Sequence, residues 1–255
     1  HLSGTSGLAM NMREGRIFSD SRLRKAMAKL WNREQLINKL FFNEYVALKS
    51  YFPGGQYENK TNKVVDYDPE GAVALLASAG WVKRNDEGWL VKDGEIFEID
   101  FGITQSYERI FTPYQEDLAK VGIKMNLRYV TSNTMFKNVM NERDFDIHYQ
   151  SWTIGTFPNP ETSYSSESAD EAGTTNICGF KNKRVDELIA EYKVCFDQQQ
   201  RIEFIKEIDG IFNEVHPKSF SIVRNYIRMM WWDKFGYPEW MFEKNRGDRW
   251  GVFKY

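Results

Sequence analysis

The sequence predicts an α/β fold, a mixed and mainly parallel sheet flanked by helices. Two observations carry this. Apolar strand-like runs alternate with amphipathic helical stretches between residues 96 and 153. The helices between the runs are long enough to serve as crossovers, which is how parallel strands are joined.

The elements follow in order. GLAMNM, residues 7–12, reads as a short apolar strand. SDSRLRKAMAKLWN is a helix, capped by Ser19 or Asp20, with Leu23, Met27 and Leu30 on one face. Its basic residues are interrupted by that apolar face, so they read as a solvated helix side rather than a phosphate or DNA patch. Asn32 starts a second helix, with Gln35 three residues on as a capping box requires. Leu36, Ile37, Leu40 and Phe41 give it an apolar stripe. FPGG, residues 52–55, is a break.

DYDPEGAVALLASAGW is the clearest helix signal. Asp68 caps it, Pro69 takes the first helical position, Ala72, Leu75, Leu76 and Ala79 form the buried face, and Gly80 stops it. Asp93-Gly94 is a two-residue hairpin turn. Strands are expected over residues 96–104, 123–130 and 145–153, and helices over 107–121, 132–142, 183–196 and 198–215. Residues 154–175 read as a loop of Gly, Pro, Ser, Thr and acids, long enough to be functional or disordered. SFSIVRNYIRMMWW, from Ser219, is a β-rich apolar run.

The bulk numbers exclude several classes. The chain has 255 residues, 42% hydrophobic and 27% charged, with a net charge of -2. That is an ordinary globular balance without the basic stripe of a nucleic-acid binder. No apolar run approaches the ~18 residues that span a bilayer. The eight Trp point to an aromatic-lined surface or to a Trp-rich core. The chain starts at His1 without a visible targeting peptide, and so reads as a fragment or a processed chain. Cys178 and Cys195 are separated by a helical stretch and are not expected to pair. With His1, His148 and His216 they share no metal-ligand spacing, so neither a metal nor a cofactor is expected. GxSxG, HExxH and phosphate-loop patterns are missing, and the chain is not expected to be an enzyme. Asp144 and Asp146 share a strand face but sit at its start, away from the end where α/β sheets bind ligands.

That rule directs attention to DFDIHYQSWTIGTFPNPETSY, residues 144–164. Trp152 to Asn159 lies off the carboxyl end of a strand. Gly155 lets a ligand backbone approach closely, Thr156 offers a hydroxyl and Phe157 a flat apolar wall. Pro158 and Pro160 stiffen the loop and lower the entropy lost on binding. Tyr149 and Gln150 must point to different sheet faces, and either could touch ligand or pack internally. The same holds for Trp152, which could be core packing beneath an idle loop. His148, within an apolar strand, reads as a buried residue rather than a catalyst.

Several of these motifs, in this order, resemble the carboxyl-terminal lobe of extracellular solute-binding proteins of family 5, the peptide/nickel class that serves ABC importers. GLAMNMREGRIFSDSRLRKAMAKLWNREQLINKLFFNEY resembles its strand and following helices, and DYDPEGAVALLASAGW its Tyr-Asp-Pro-Glu block. DFDIHYQSW resembles its strand ending in Trp, and NICGFKNKRVDELIAEY its Asn-x-x-Gly-Phe/Tyr block. SYFPGG and RMMWWDKFGYP look closest to the subgroup that takes up longer peptides and peptide antibiotics.

The resemblance implies a type II periplasmic-binding-protein lobe over residues 1–230, with a tail, 231–255, that returns to a missing amino-terminal lobe and brings Trp232, Phe235, Tyr237 and Trp240 with it. It implies capture of peptides or peptide-like solutes by lobe closure, delivery to importer membrane subunits, and a periplasmic or lipid-anchored location. The implied ligand residues are Tyr149, Gln150, Trp152, Thr153, Ile154, Gly155, Thr156, Phe157 and Asn176. Several peptide binders of the family carry an Asp three residues after the Trp, where it pairs with the ligand's amino group. This chain has Gly155 there, with Glu161 as a candidate substitute. The alternatives are a sensing domain of a regulatory protein, or a binder of an oligosaccharide or metal chelate.

Overall fold

The computed structural model describes residues 4–153, 157–224, 226 and 236. The chain enters as β1 (Gly4–Met10) and passes through a short 3-10 turn into α1 (Ser21–Lys29). Asp20 caps α1 by accepting from the Arg22 backbone N–H, and Leu23, Met27 and Leu30 are buried as the periodicity requires. Arg24 departs from expectation. It is not on a solvated helix side but buried, donating to the carbonyls of Phe18 at 2.7 Å, Ser19 at 2.9 Å and Val215 at 3.2 Å. Its guanidinium thereby ties the start of α1 to a distant helix end.

Asn32 Oδ1 accepts from the Gln35 N–H at 3.0 Å and starts α2 (Arg33–Gln35), which continues as a π-helical turn over Leu36–Leu40. After β2 (Tyr45–Ala47) comes α3 (Pro69–Ser78), where the Asp68 carboxylate accepts from the Gly71 N–H at 2.8 Å. β3 (Lys83–Arg84), β4 (Leu90–Lys92) and β5 (Glu95–Ile96) form a small antiparallel sheet. Asp93 and Gly94, with φ of 54° and 88°, make its hairpin turn.

The main sheet follows. β6 (Glu98–Ile103) leads through α4 (Glu108–Lys120) to β7 (Lys124–Tyr129). α5 (Ser132–Phe136), extended by a π-helical turn over Lys137–Glu142, leads to β8 (Ile147–Thr153). The predicted strand over 96–104 is split, because Phe97 donates to Leu90 O and accepts from the Lys124 N–H, joining the small sheet to the large one. The loop after β8 contains α6 (Glu161–Tyr164) and ends at α7 (Lys183–Val194). α8 (Gln198–Val215), β9 (Lys218–Phe220) and β10 (Ile222–Arg224) complete the described chain. Apart from Gly236, the expected tail from residue 231 lies outside the described residues. Cys178 and Cys195 are both free, with α7 between them.

The five strands lie in the order β7-β6-β8-β1-β9. β7, β6 and β8 are parallel neighbours, while β1 is antiparallel to both β8 and β9. Four strands therefore point one way and β1 the other, a mixed and mainly parallel sheet as expected. On one face Leu8, Met10, Ile99, Phe101, Ile103 and Ile147 pack under α1, α3 and α4. On the other, Phe220 and Trp152 meet α7 and α8 through Val185, Leu188, Ile205 and Phe212. The β6–β7 part of that second face is polar instead, with Glu98 pairing Lys124 at 2.9 Å and Asp100 pairing Arg128 at 3.1 Å.

One buried carboxylate organises the stretch between β2 and α3. Asp209 of α8 accepts from Ser50 Oγ at 2.7 Å, Tyr51 N at 2.8 Å, Asn59 N at 3.0 Å and Asn62 Nδ2 at 2.9 Å. Among the described residues no cation pairs with it, and burial, outweighing these hydrogen bonds, raises its pKa from 3.8 to about 6. The folded state then holds the proton more tightly than the unfolded one. The sign follows by linkage: this group's contribution is fully present below about pH 4 and is lost as pH rises through about 6. In Asp209→Asn an amide N–H₂ faces one of the four donors, and stability at pH 7 falls by about 1–3 kcal/mol. The variant also loses the wild type's decline between pH 4 and pH 6.5. Urea unfolding of both proteins across that range measures the two effects.

Candidate functional site

The carboxyl ends of the parallel strands share one sheet edge. Ile103 of β6 is level with Tyr129 of β7, and the pairing of Phe101 with Ile147 puts Tyr149 of β8 on the same level. β8 then runs four residues further, with Gln150 to Thr153 paired to Gly7 through Gly4 of β1. This part of β8 and β1 thus runs beyond the ends of β6 and β7, with Ser221 N donating to Ser6 O on its other edge, and it carries Gln150, Trp152 and Thr153.

Alternation along β8 separates them as required. Tyr149 turns to the α4 side, edge-to-face with Tyr107 and with Phe111, each at 5.1 Å. Gln150 and Trp152 turn to the α7–α8 side. Trp152 is half-buried, 5.5 Å from the Tyr51 ring. Lys218 Nζ lies 3.9 Å from the indole centroid and donates to Gln150 Oε1 at 3.2 Å. Thr153 ends the strand. Ile154, Gly155 and Thr156 lie outside the described residues. Phe157 is 73% exposed. Tyr129, which ends β7, is 57% exposed and Phe136 of α5 59%, and both are also open aromatic faces.

Asn176 has a different task from the expected one. It is 2% exposed, its Oδ1 accepts from Phe180 N at 2.9 Å, and its Nδ2 donates to Phe180 O at 2.9 Å and Ser165 O at 3.0 Å. The amide is engaged with backbone, so Asn176 organises the loop and does not present itself to a ligand. Glu161 is likewise engaged, with Lys193 at 2.6 Å.

Other side chains brace the same loop. Arg13 donates to Ile177 O at 2.9 Å and to Ala169 O, and Arg143 to Glu171 O at 2.8 Å and Thr174 O at 3.0 Å. Asp186 accepts from Ser166 N at 2.8 Å, and the Tyr192 hydroxyl donates to Pro158 O at 2.5 Å. Charge-assisted hydrogen bonds of this kind give a long loop a fixed shape.

Among the described residues the edge offers aromatic faces and amides, and no nucleophile paired with a base. His148 is pushed down to about 4 by burial and by the Lys218 charge, so it is neutral at physiological pH. Asp144 pairs with Arg16 at 3.0 Å, and Asp146 accepts from Asp100 N at 3.2 Å. Both lie at the far end of β8. Among the described residues no group of three or more His, Cys, Asp or Glu is placed to hold a metal ion. No described helix is long and apolar enough to cross a membrane.

The sequence reading missed Tyr129, Phe136, Tyr51 and Lys218. The rule that placed Trp152 at a strand end applies equally to Tyr129, and would have found it. Lys218 carries no local signal, since its place under Trp152 depends on strand register.

Residues 2–174 match the profile of the bacterial extracellular solute-binding proteins, family 5 Middle. The oligopeptide-binding protein AppA of Bacillus subtilis is 26% identical over 208 residues, covering 78% of this chain and 37% of its own length. Its structure in complex with a nonapeptide superposes with a TM-score of 0.78 at 22% identity, over 92% of this chain and 48% of that one. NikZ of Campylobacter jejuni, in complex with Ni(L-His), gives 0.75 at 19% identity, over 86% and 44%. The chain therefore spans less than half the length of the relatives it matches.

Asn176→Ala strips partners from three backbone groups of the loop. It is expected to cost about 2 kcal/mol and to speed hydrogen exchange at the Phe180 amide, while Ile99 and Phe101 in β6 keep their protection. Exchange mass spectrometry reads both.

Proposed function

Since the chain belongs to the bacterial extracellular solute-binding proteins, family 5, we propose that it is one lobe of a protein that captures peptides for an ABC importer, with its ligand face at the projecting end of β8. The observation that carries this reading is the edge itself. Trp152 and Tyr149 stand on a strand pair, Phe157 is exposed, and a braced loop follows. Aromatic faces with a few fixed polar groups are what reversible recognition of a peptide requires. Thr153, Ile154, Gly155 and Thr156 belong to the same proposed surface, whereas Asn176 supports it from behind.

The mechanism is capture without bond making. A second lobe, not contained in this chain, closes over the edge and completes the contacts, and opening at the membrane subunits of the importer releases the solute. A location in the periplasm or at the cell surface follows from that role. The relatives named above support the peptide class, since one of them is an oligopeptide-binding protein. A neighbour solved with Ni(L-His) supports a second reading, a metal chelate in the same cleft.

The test uses the intact protein that contains this chain. Peptides of two to nine residues are expected to raise its melting temperature by several degrees when present at about 100 times Kd. Trp152→Ala is expected to weaken binding at least about tenfold. No response to any peptide, with stabilisation by Ni(L-His), would replace peptide capture with the chelate reading.

A further inference from the structure

Away from the end of β8, α2 with its π-helical turn faces α4 across a cavity of about 200 Å³. Both walls depart from regular α-helix there. Phe41 N donates to Leu36 O, five residues back, at 3.1 Å, and Pro113 sits inside α4. π-helical turns of this kind are frequent at functional sites. Most of the wall is apolar, with Leu36 and Leu40 on one side, Ile110 and Pro113 on the other, and the rings of Trp31 and Tyr114 centred 5.7 Å apart. Trp31 begins one lining stripe and lies against Tyr114, in the second half of α4. The far ends of the two stripes, Lys39 and Arg109, therefore fall at the opposite end of the cavity.

The polar groups of the wall are unevenly engaged. Asp117, its single carboxylate, accepts from Lys120 Nζ at 2.7 Å, and the Tyr114 hydroxyl donates to Met27 O at 2.9 Å. Asn32 Oδ1 accepts from Gln35 N, which leaves the Asn32 amide N–H₂ and the Gln35 side chain without partners among the described residues. Trp31 is 1% exposed, and its indole N–H has no partner among the described residues either. Lys39 and Arg109 are exposed, and neither forms an ion pair with a described residue. Apart from Gln35 Oε1, the unengaged side-chain groups are thus donors, two of them cationic, around an apolar floor.

We infer that this cavity is a second binding site, separate from the edge of β8, and that it takes a small monocarboxylate with an aromatic or branched apolar body. The body packs against Trp31, Leu36, Ile110 and Pro113, and the carboxylate lies between Lys39 and Arg109. The volume is below the roughly 300–1,000 Å³ of sites for drug-sized ligands, which limits the body to a single ring or a short branched chain. Both cations are exposed, so the charge contributes modestly, about five- to tenfold for two such contacts. The apolar wall supplies the rest. This site stands on its own observations and does not depend on the reading of the edge as a peptide-binding face.

The experiment uses the intact protein that contains this chain, labelled at the Trp indole nitrogens, with Trp31→Phe and Trp152→Phe assigning two signals. The probes are 3-phenylpropanoate, its amide and acetate, titrated at pH 7 and low salt into wild type and into the double variant Lys39→Gln, Arg109→Gln. In wild type, 3-phenylpropanoate is expected to shift the Trp31 signal saturably, about five- to tenfold tighter than the amide, with Trp152 unmoved. Acetate, which lacks the body, is expected to leave Trp31 still. The double variant changes only exposed side chains. It is expected to keep the melting temperature and the affinity for the amide, and to lose the preference for the acid. A Trp31 signal that does not respond to 3-phenylpropanoate would overturn the inference, as would equal binding of acid and amide or a preference that survives in the double variant. Acetate binding as tightly as 3-phenylpropanoate would reduce the site to a patch of positive charge, and would overturn it too. None of these results touches peptide capture at Trp152.

Discussion

The structure depends first on how β1 is wedged between β8 and β9. All seven residues of Gly4–Met10 pair with β8, Gly7–Ala9 pair with β9 as well, and the strand runs against both neighbours. The strand approaches β9 so closely that a Cβ on Gly7 would stand 2.6 Å from the carbonyl oxygen of Ser219. A side chain there would force the ladder apart, so glycine sets the distance. Because side chains alternate, a slip of one residue would exchange the two faces of the strand. The register that buries Leu8 and Met10 under α1 and α4 also places Thr5 opposite Trp152 and Gly7 opposite Gln150. The candidate ligand edge is thus a consequence of the core, since the pairing that closes the sheet also aims the residues beyond it.

A second constraint is the use of buried cations as braces. Arg24, Arg33 and Arg143 are all buried, and their guanidinium groups donate mainly to backbone carbonyls. Arg33, held by Phe220 O at 3.0 Å, has its pKa lowered by burial to about 10 and stays charged. Each joins segments far apart in sequence, and Arg143 does so for the loop that follows β8. A loop fixed before the ligand arrives loses little entropy on binding. Lys218 differs from these arginines. Its hydrogen-bond partner is a single amide oxygen, and the rest of its surroundings are aromatic.

Much of the fold was legible because local signals and tertiary needs agree. Asp20, Asn32 and Asp68 cap helices as their positions imply, and Asp93-Gly94 turns the hairpin. Parallel pairing of β6, β7 and β8 follows from crossover lengths alone. What escaped has a common cause, that buried polar partners are chosen by three-dimensional proximity. Arg24 reads as solvent-facing because a helix repeat contains no record of the Val215 carbonyl waiting above it. Asn176 reads as a loop residue near a cleft because its sequence neighbours do not reveal that Ser165 and Phe180 will engage its amide. Of the candidate ligand residues, Tyr149, Gln150 and Trp152 were separable by strand periodicity, and the structure puts them on the faces that periodicity requires. Lys218, which lies against the Trp152 ring, became visible only through the register of three strands.

The most direct test of the account follows individual indole N–H signals of the intact protein, labelled at Trp, during peptide titration. Trp152→Phe assigns the critical signal, and Trp31 and Trp81, 1% and 9% exposed, serve as internal references. A saturable shift of the Trp152 signal with the references unmoved is the expected result. A peptide that binds while Trp152 stays still would contradict it, and would move the ligand face away from the end of β8.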